Sequence, residues 1–214
     1  MQNLVYPSYF IMVEAYIHHS LSWRQDKIYR NGSQCFAHPA GRPEEILLAS
    51  YKALELSYLK FFKMDMLSRL GVLAMEWLCP DIDHSRPFDT GIICSTHHGS
   101  LVVDKAFDHS RESFASPALF VYTLPNIALG EICIRNKIKG PQICLIEEKT
   151  NAGLLCDNAL NILKKKRARN CITGHIDATE ESLFVDLAWI SDASDDKADI
   201  PLTAENLARM FEQR

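Results

Sequence analysis

The stretch Thr90–Ser95, TGIICS, decides the fold class. It is an apolar run with β-branched members, preceded by Pro87 and followed by Gly99, the pattern of a buried central strand that runs into a turn. Outward from it, the same pattern recurs at Ile143–Ile146, introduced by Gly140-Pro141, at Cys171–Thr173, closed by Gly174, and at Ser182–Ile190. Helical periodicity fills the intervals. Met66, Leu67, Leu70, Leu73, Ala74 and Trp77 form one stripe, with Asp65 placed as its cap and Pro80 beyond its end. Ala152, Leu155, Cys156, Ala159, Leu160 and Leu163 form another, capped by Thr150 or Asn151. Pro117–Arg135 reads as two short helices around Pro125, and Leu202–Phe211 as a terminal helix capped by Thr203.

Upstream, Phe10–Ile17 reads as a strand, and Trp23–Pro43, rich in Gly, Pro, Asn and His, as an irregular connection. The run from Glu44, EEILLASYKALELSYLKFF, has a helical pattern throughout, and Asp192–Asp199 is a polar, acidic loop. Apolar strands separated by helices predict an α/β class: three α/β/α layers around a mostly parallel, mixed sheet covered on both faces.

The chain has 214 residues, 47% hydrophobic and 23% charged, which suits one large domain spanning 1–214 with an ample core. A net charge of −4 points neither to a nucleic-acid binder nor to an acidic tail. Seven cysteines is an odd number, and Cys94, Cys133, Cys144 and Cys171 sit among apolar neighbours, which predicts buried free thiols and a reducing compartment. The start lacks a basic, then apolar, leader pattern, and no apolar run is long enough to span a membrane, so a soluble cytoplasmic protein is expected. Cys35 and His38 have ligand-like spacing, but one pair does not make a four-ligand zinc site, and no metal or cofactor is expected. His97-His98 reads as a turn-exposed pair. There is no GxSxG, Walker or dinucleotide-binding pattern.

Three ordered segments carry a resemblance. TGIICSTHHGSLVVDKAFDHS is similar to the strand, glycine-bearing turn and helix of the β-ketoacyl synthases. FASPALFVYTLPNIALGEICIRNKIKGPQICLI has that family's Ser-Pro, its Pro-Asn before a helix and its Lys-Gly-Pro entering a strand. NALNILKKKRARNCITGHIDAT matches its helix, basic turn, strand and glycine-rich end. With the helix in FFKMDMLSRLGVLAMEWL, the resemblance runs from about Phe61 to Thr179, and the family is the N-terminal half of the β-ketoacyl synthases, a thiolase-like fold.

The resemblance implies a catalytic cysteine at a strand-to-helix turn, where a helix N-terminus favours thiolate and the thiolate takes an acyl group from an acyl carrier protein. Lys149 occupies that position, and a slip of one or two residues finds only Glu147, Glu148, Thr150 or Asn151. Glu147 and Glu148 are placed to neutralise the lysine as an ordinary ion pair. The family's two histidines come from a C-terminal half that would begin where this chain stops, at Arg214, so no catalytic residue is assigned and no condensation is expected of the chain alone. The expected role is that of a chain-length factor, a non-catalytic partner of a full-length synthase in a fatty-acid-like, polyketide or polyene pathway. The alternatives are a free-standing acyl or carrier-protein binding module, and a 3-oxoacyl synthase-type acyltransferase that uses Lys149 or an unrecognised group. The family also implies a dimer strand at Gly140, Pro141, Ile143 and Leu145, giving a homo- or heterodimer. Lys164, Lys165, Lys166, Arg167 and Arg169 could meet an acidic carrier protein, although cations also suit a helix C-terminus.

Overall fold

The computed structural model describes residues 14–39, 41–79, 85–193 and 200–212. One sheet organises them. Its strands are β1 (Tyr16–Arg24), β2 (Lys27–Arg30), β3 (Ser33–Ala37), β4 (Thr90–Thr96), β5 (Gln142–Ile146), β6 (Asn170–Ala178), β7 (Leu183–Ser191) and the short β8 (Ile200–Pro201). Their order is β3-β2-β1-β7-β6-β4-β5, with β8 beside β1. Alternation writes both faces of the central strand. Ile92 and Cys94 enter the core on one side, and Ile93, between them, enters the core on the other.

Helices cover each face. On the first lie α1 (Pro43–Ala53), a 3-10 turn (Leu59–Lys63), α2 (Met66–Leu78) and α5 (Asn126–Asn136); on the second lie α6 (Ala152–Lys164) and α7 (Ala204–Glu212). Two more, α3 (Leu101–Ser110) and α4 (Pro117–Val121), follow β4 and pack on each other. The caps stand where the residue types put them. Asp65 accepts from the Ser68 N–H, Asn151 from Leu154 and Thr203 from Asn206. The three α/β/α layers of the sequence reading are present.

The sheet differs from that reading in its direction. Parallel pairing is confined to β4 with β5 and β4 with β6, whereas β6, β7, β1, β2 and β3 are joined antiparallel. The supposedly irregular stretch 23–43 holds the end of β1 and all of β2 and β3. Its Asn31-Gly32, both with positive φ, makes the two-residue turn between β2 and β3. The helical run from Glu44 is also interrupted. Leu54 ends α1, Glu55 takes the left-handed region, and the Tyr58 N–H donates to the Tyr51 hydroxyl, folding the chain back so that Phe61 stacks on Tyr51.

Gly174 does not close its strand. It sits in mid-β6, where a Cβ would collide with the Asp186 carbonyl oxygen of β7. Gly140 has a similar reason, because a Cβ there would collide with the Thr90 carbonyl oxygen. The expected strand Phe10–Ile17 falls partly outside the described residues, and the described strand begins at Tyr16. Pro80 and most of the acidic loop also lie outside them.

Candidate functional site

The three parallel strands end together, and their C-terminal ends are where an open α/β sheet presents side chains to a crevice. β4 runs into Thr96-His97-His98-Gly99, β5 into the Glu147–Asn151 turn before α6, and β6 into Asp177. A cleft of about 490 Å³ lies over these ends, its wall including Arg24, His97, Lys149, Thr150, His175 and Asp177.

Asp177 organises the first turn. Its Oδ1 accepts from Thr96 Oγ1 at 2.9 Å and from the backbone N–H groups of His97 and His98 at 3.0 and 2.8 Å. Its Oδ2 lies 2.6 Å from His98 Nδ1. Burial alone would raise the Asp177 carboxyl, but the bonds from the His98 side chain and backbone and from Thr96 outweigh it and hold the group below its ordinary range. The Thr96 hydroxyl in turn accepts from the Gly99 N–H at 3.2 Å, and Gly99 takes the positive φ of 55° that closes the turn.

Beside it, buried His175 places Nδ1 2.8 Å from Ser95 Oγ and meets Phe184 edge-on. Burial lowers its pKa, with the Asp177 charge opposing, so a neutral ring faces the cleft. Deeper still, Asp186 binds Arg24 at 2.5 Å and accepts from Thr150 Oγ1 at 2.9 Å, fixing the turn that carries Lys149. Chemically the cleft offers the fixed Asp177 carboxylate and that of Glu148, the exposed His97 imidazole, the neutral buried His175 imidazole and two cations, Arg24 and Lys149. It contains no thiol: Cys144 lies within β5 and Cys156 within α6. Burial pushes both of these thiols up.

No protein-family model and no curated protein sequence matches the chain. Solved structures do. The ishigamide ketosynthase/chain length factor aligns with a TM-score of 0.61 at 14% identity, covering 86% of this chain and 63% of that one. The fold is that of the ketosynthases and chain length factors. Two further structures share it. The type II polyketide synthase AntDE:AntF, an acyl-carrier protein with its ketosynthase bound to the hexaketide, aligns at TM-score 0.57 and 10% identity over 83% of this chain and 62% of that one. A chain of the ketosynthase ApeO in complex with its chain length factor ApeC from Xenorhabdus doucetiae aligns at 0.57 and 11% over 92% and 90%. The chain thus spans less than two thirds of the first two matched chains and nine tenths of the third.

In this ketosynthase-like fold the predicted residues fall in three places. Lys149 stands exposed in the turn between β5 and α6, on the cleft wall. Glu147 accepts from Asn151 Nδ2, and neither it nor Glu148 forms an ion pair with Lys149 among the described residues. Gly140, Pro141, Ile143 and Leu145 lie on or just before β5, which is the edge of the sheet; Ile143 and Leu145 pack toward α6 and Ile146 is 62% exposed. Lys164, Lys165, Lys166, Arg167 and Arg169 are all exposed, between the end of α6 and the start of β6. That is the opposite end of the strands from the cleft, separated from it by the length of β6, roughly 25 Å.

Sequence reading missed Asp177, His175, Arg24 and Asp186. The signal was present, since His175, Asp177 and Asp186 interrupt apolar strand runs, ITGHID and FVDLAW, and a buried charge needs partners. Among the described residues, no helix is long and apolar enough to cross a membrane, and no group of three metal-ligating side chains forms.

Proposed function

We propose that residues 1–214 act as one chain-length-factor-type domain, non-catalytic in condensation, that pairs with an active β-ketoacyl synthase in fatty-acid-like, polyketide or polyene synthesis. The observation that carries this reading is the exposed Lys149 in the β5–α6 turn, directly after an unpaired edge strand. The turn where the resemblance places the family's cysteine holds an exposed lysine and no thiol, so the covalent acyl intermediate of that family has no sulfur to form on here.

The edge strand gives the pairing its physical basis. Among the described residues β5 is paired along one side only, and with its exposed Ile146 such an edge invites another chain. The solved structures sharing the fold are described as ketosynthases with chain length factors or with a carrier protein, and the third is matched over nearly its whole length. The partner would be a full-length synthase in the cytoplasm. An acyl carrier protein meeting the basic α6–β6 corner would dock away from the cleft. Co-expression with a candidate synthase and isolation of a one-to-one complex tests the reading; two proteins that elute separately at micromolar concentration would end it.

A further inference from the structure

A second cleft, of about 500 Å³, opens between the start of α3 and the β6–β7 turn, and its wall includes His98, Leu101, Lys105, Thr179, Glu181 and Ser182. We propose that His98 and Asp177 form a general-base dyad in this cleft, with water as the nucleophile and an acyl thioester as the substrate.

The geometry separates this pair from a purely structural contact. Three hydrogen bonds to Asp177 Oδ1, from Thr96 and from the His97 and His98 backbone, already satisfy the turn. The fourth, His98 Nδ1 to Oδ2 at 2.6 Å, engages the other carboxylate oxygen and the ring in place of the backbone. It fixes the imidazole instead. A carboxylate only accepts, so Nδ1 carries the proton and Nε2 presents its lone pair, the arrangement that orients a catalytic histidine. Nε2 has no partner among the described residues, and the side chain is 37% exposed on the cleft wall. The His97 ring lies beside it, with centroids 4.3 Å apart.

Leu101, 41% exposed, and Val102 supply apolar wall, while Glu180 and Glu181 disfavour anionic phosphate esters. A neutral thioester carbonyl fits that balance. In the step, Nε2 takes a proton as the water oxygen bonds to the carbonyl carbon. Lys105 is the cation available to the oxygen that gains charge. The C–S bond then breaks, and the proton on Nε2 passes to the departing thiolate, leaving a carboxylic acid and a thiol. The partner reading enters only through the thioester class of substrate.

The test uses the purified full chain with hexanoyl N-acetylcysteamine, reading hexanoic acid by chromatography. The expected result is acid formation above the buffer rate, lowered about a hundredfold in His98→Gln with its thermal midpoint unchanged. Added imidazole should partly restore the rate in His98→Ala. A rate equal to buffer, or one that His98→Gln leaves unchanged, overturns the dyad. Neither result touches the partner reading, because His98→Gln can be assayed separately for binding to a synthase.

Discussion

Arg24 Nη2 lies 2.5 Å from Asp186 Oδ1, and the pair joins four parts of the chain at the base of the cleft. Thr150 of the β5–α6 turn holds the other carboxylate oxygen. Ser22 of β1 reaches both Asp186 and the Phe211 carbonyl of α7, and Arg24 donates to that carbonyl and to Val185. Burial raises the Asp186 carboxyl, and the Arg24 charge and hydrogen bonds, then Thr150 and Ser22, oppose the rise. Arg24→Met keeps the stem and strands the carboxylate, so a loss of about 3 kcal/mol is expected. The sign of its pH dependence follows. An acid whose folded pKa is raised costs stability above that pKa and is relieved as pH falls through it. Urea midpoints should therefore show a larger deficit for Arg24→Met at pH 7 than at pH 5.

Asp177 behaves in the opposite sense. Its folded pKa is depressed, so its contribution is complete above the ordinary carboxylate value of about 3.9 and is lost as pH falls through the folded value. Asp177→Asn should be less stable at neutral pH and should show a flatter loss of stability below about pH 4. Thermal midpoints of both proteins across that range check this. Parallel curves would show that the carboxylate does not hold the turn in its ionised form.

Gly174 marks where sequence reading reached and where it stopped. The central strands, α2, α6 and their caps were legible because each is local: an apolar run, a 3.6-residue stripe, an Asp or Asn at the right offset. Gly174 looks like an end because glycine usually breaks a strand pattern. Its actual cause lies in another strand, the Asp186 carbonyl of β7, which no local window contains. The antiparallel half of the sheet was hidden for a related reason. Apolar runs report burial and not direction, and Asn31-Gly32, a strong hairpin signal, sits in a stretch whose Gly, Pro, Asn and His content masks its strands. The clefts needed the pairing of β4 with β6, which sets Ser95 opposite His175 and brings Asp177 to the turn after Thr96. Gly174→Ala should cost about 3 kcal/mol or more, since backbone meets the new methyl; a chemical denaturation midpoint near wild type would show that β6 and β7 can separate cheaply.

Lys149 bears on condensation. The 214 residues contain neither a cysteine at this turn nor the histidines that the resemblance assigns to a second half. The purified chain should form no carbon–carbon bond from malonyl and acyl carrier proteins. Lys149→Cys should not restore it, although it should take up an acyl group or a thiol-reactive label faster than the buried cysteines, because the turn is exposed. Condensation product from either protein, followed by mass spectrometry, would remove the basis for a non-catalytic partner.

Ile146 gives the sharpest test of the edge. Leu145 is unsuitable, because it packs against the α6 and α7 core and a charge there would damage the fold together with any interface. Ile146 is 62% exposed at the end of β5, beside Gly99 and Pro125, with Leu124 exposed nearby at 58%. Ile146→Lys should leave the unfolding midpoint of the isolated chain close to wild type, since the side chain buries little when unpaired. If β5 pairs across an interface, the same lysine must be desolvated next to a partner strand, and association should weaken roughly tenfold or more. Light scattering over a concentration series, of the chain alone and with a candidate synthase, reads both homodimer and heterodimer. Equal association constants for wild type and Ile146→Lys would place the interface elsewhere, and a monomeric mass in every mixture would leave β5 as an edge that no chain covers.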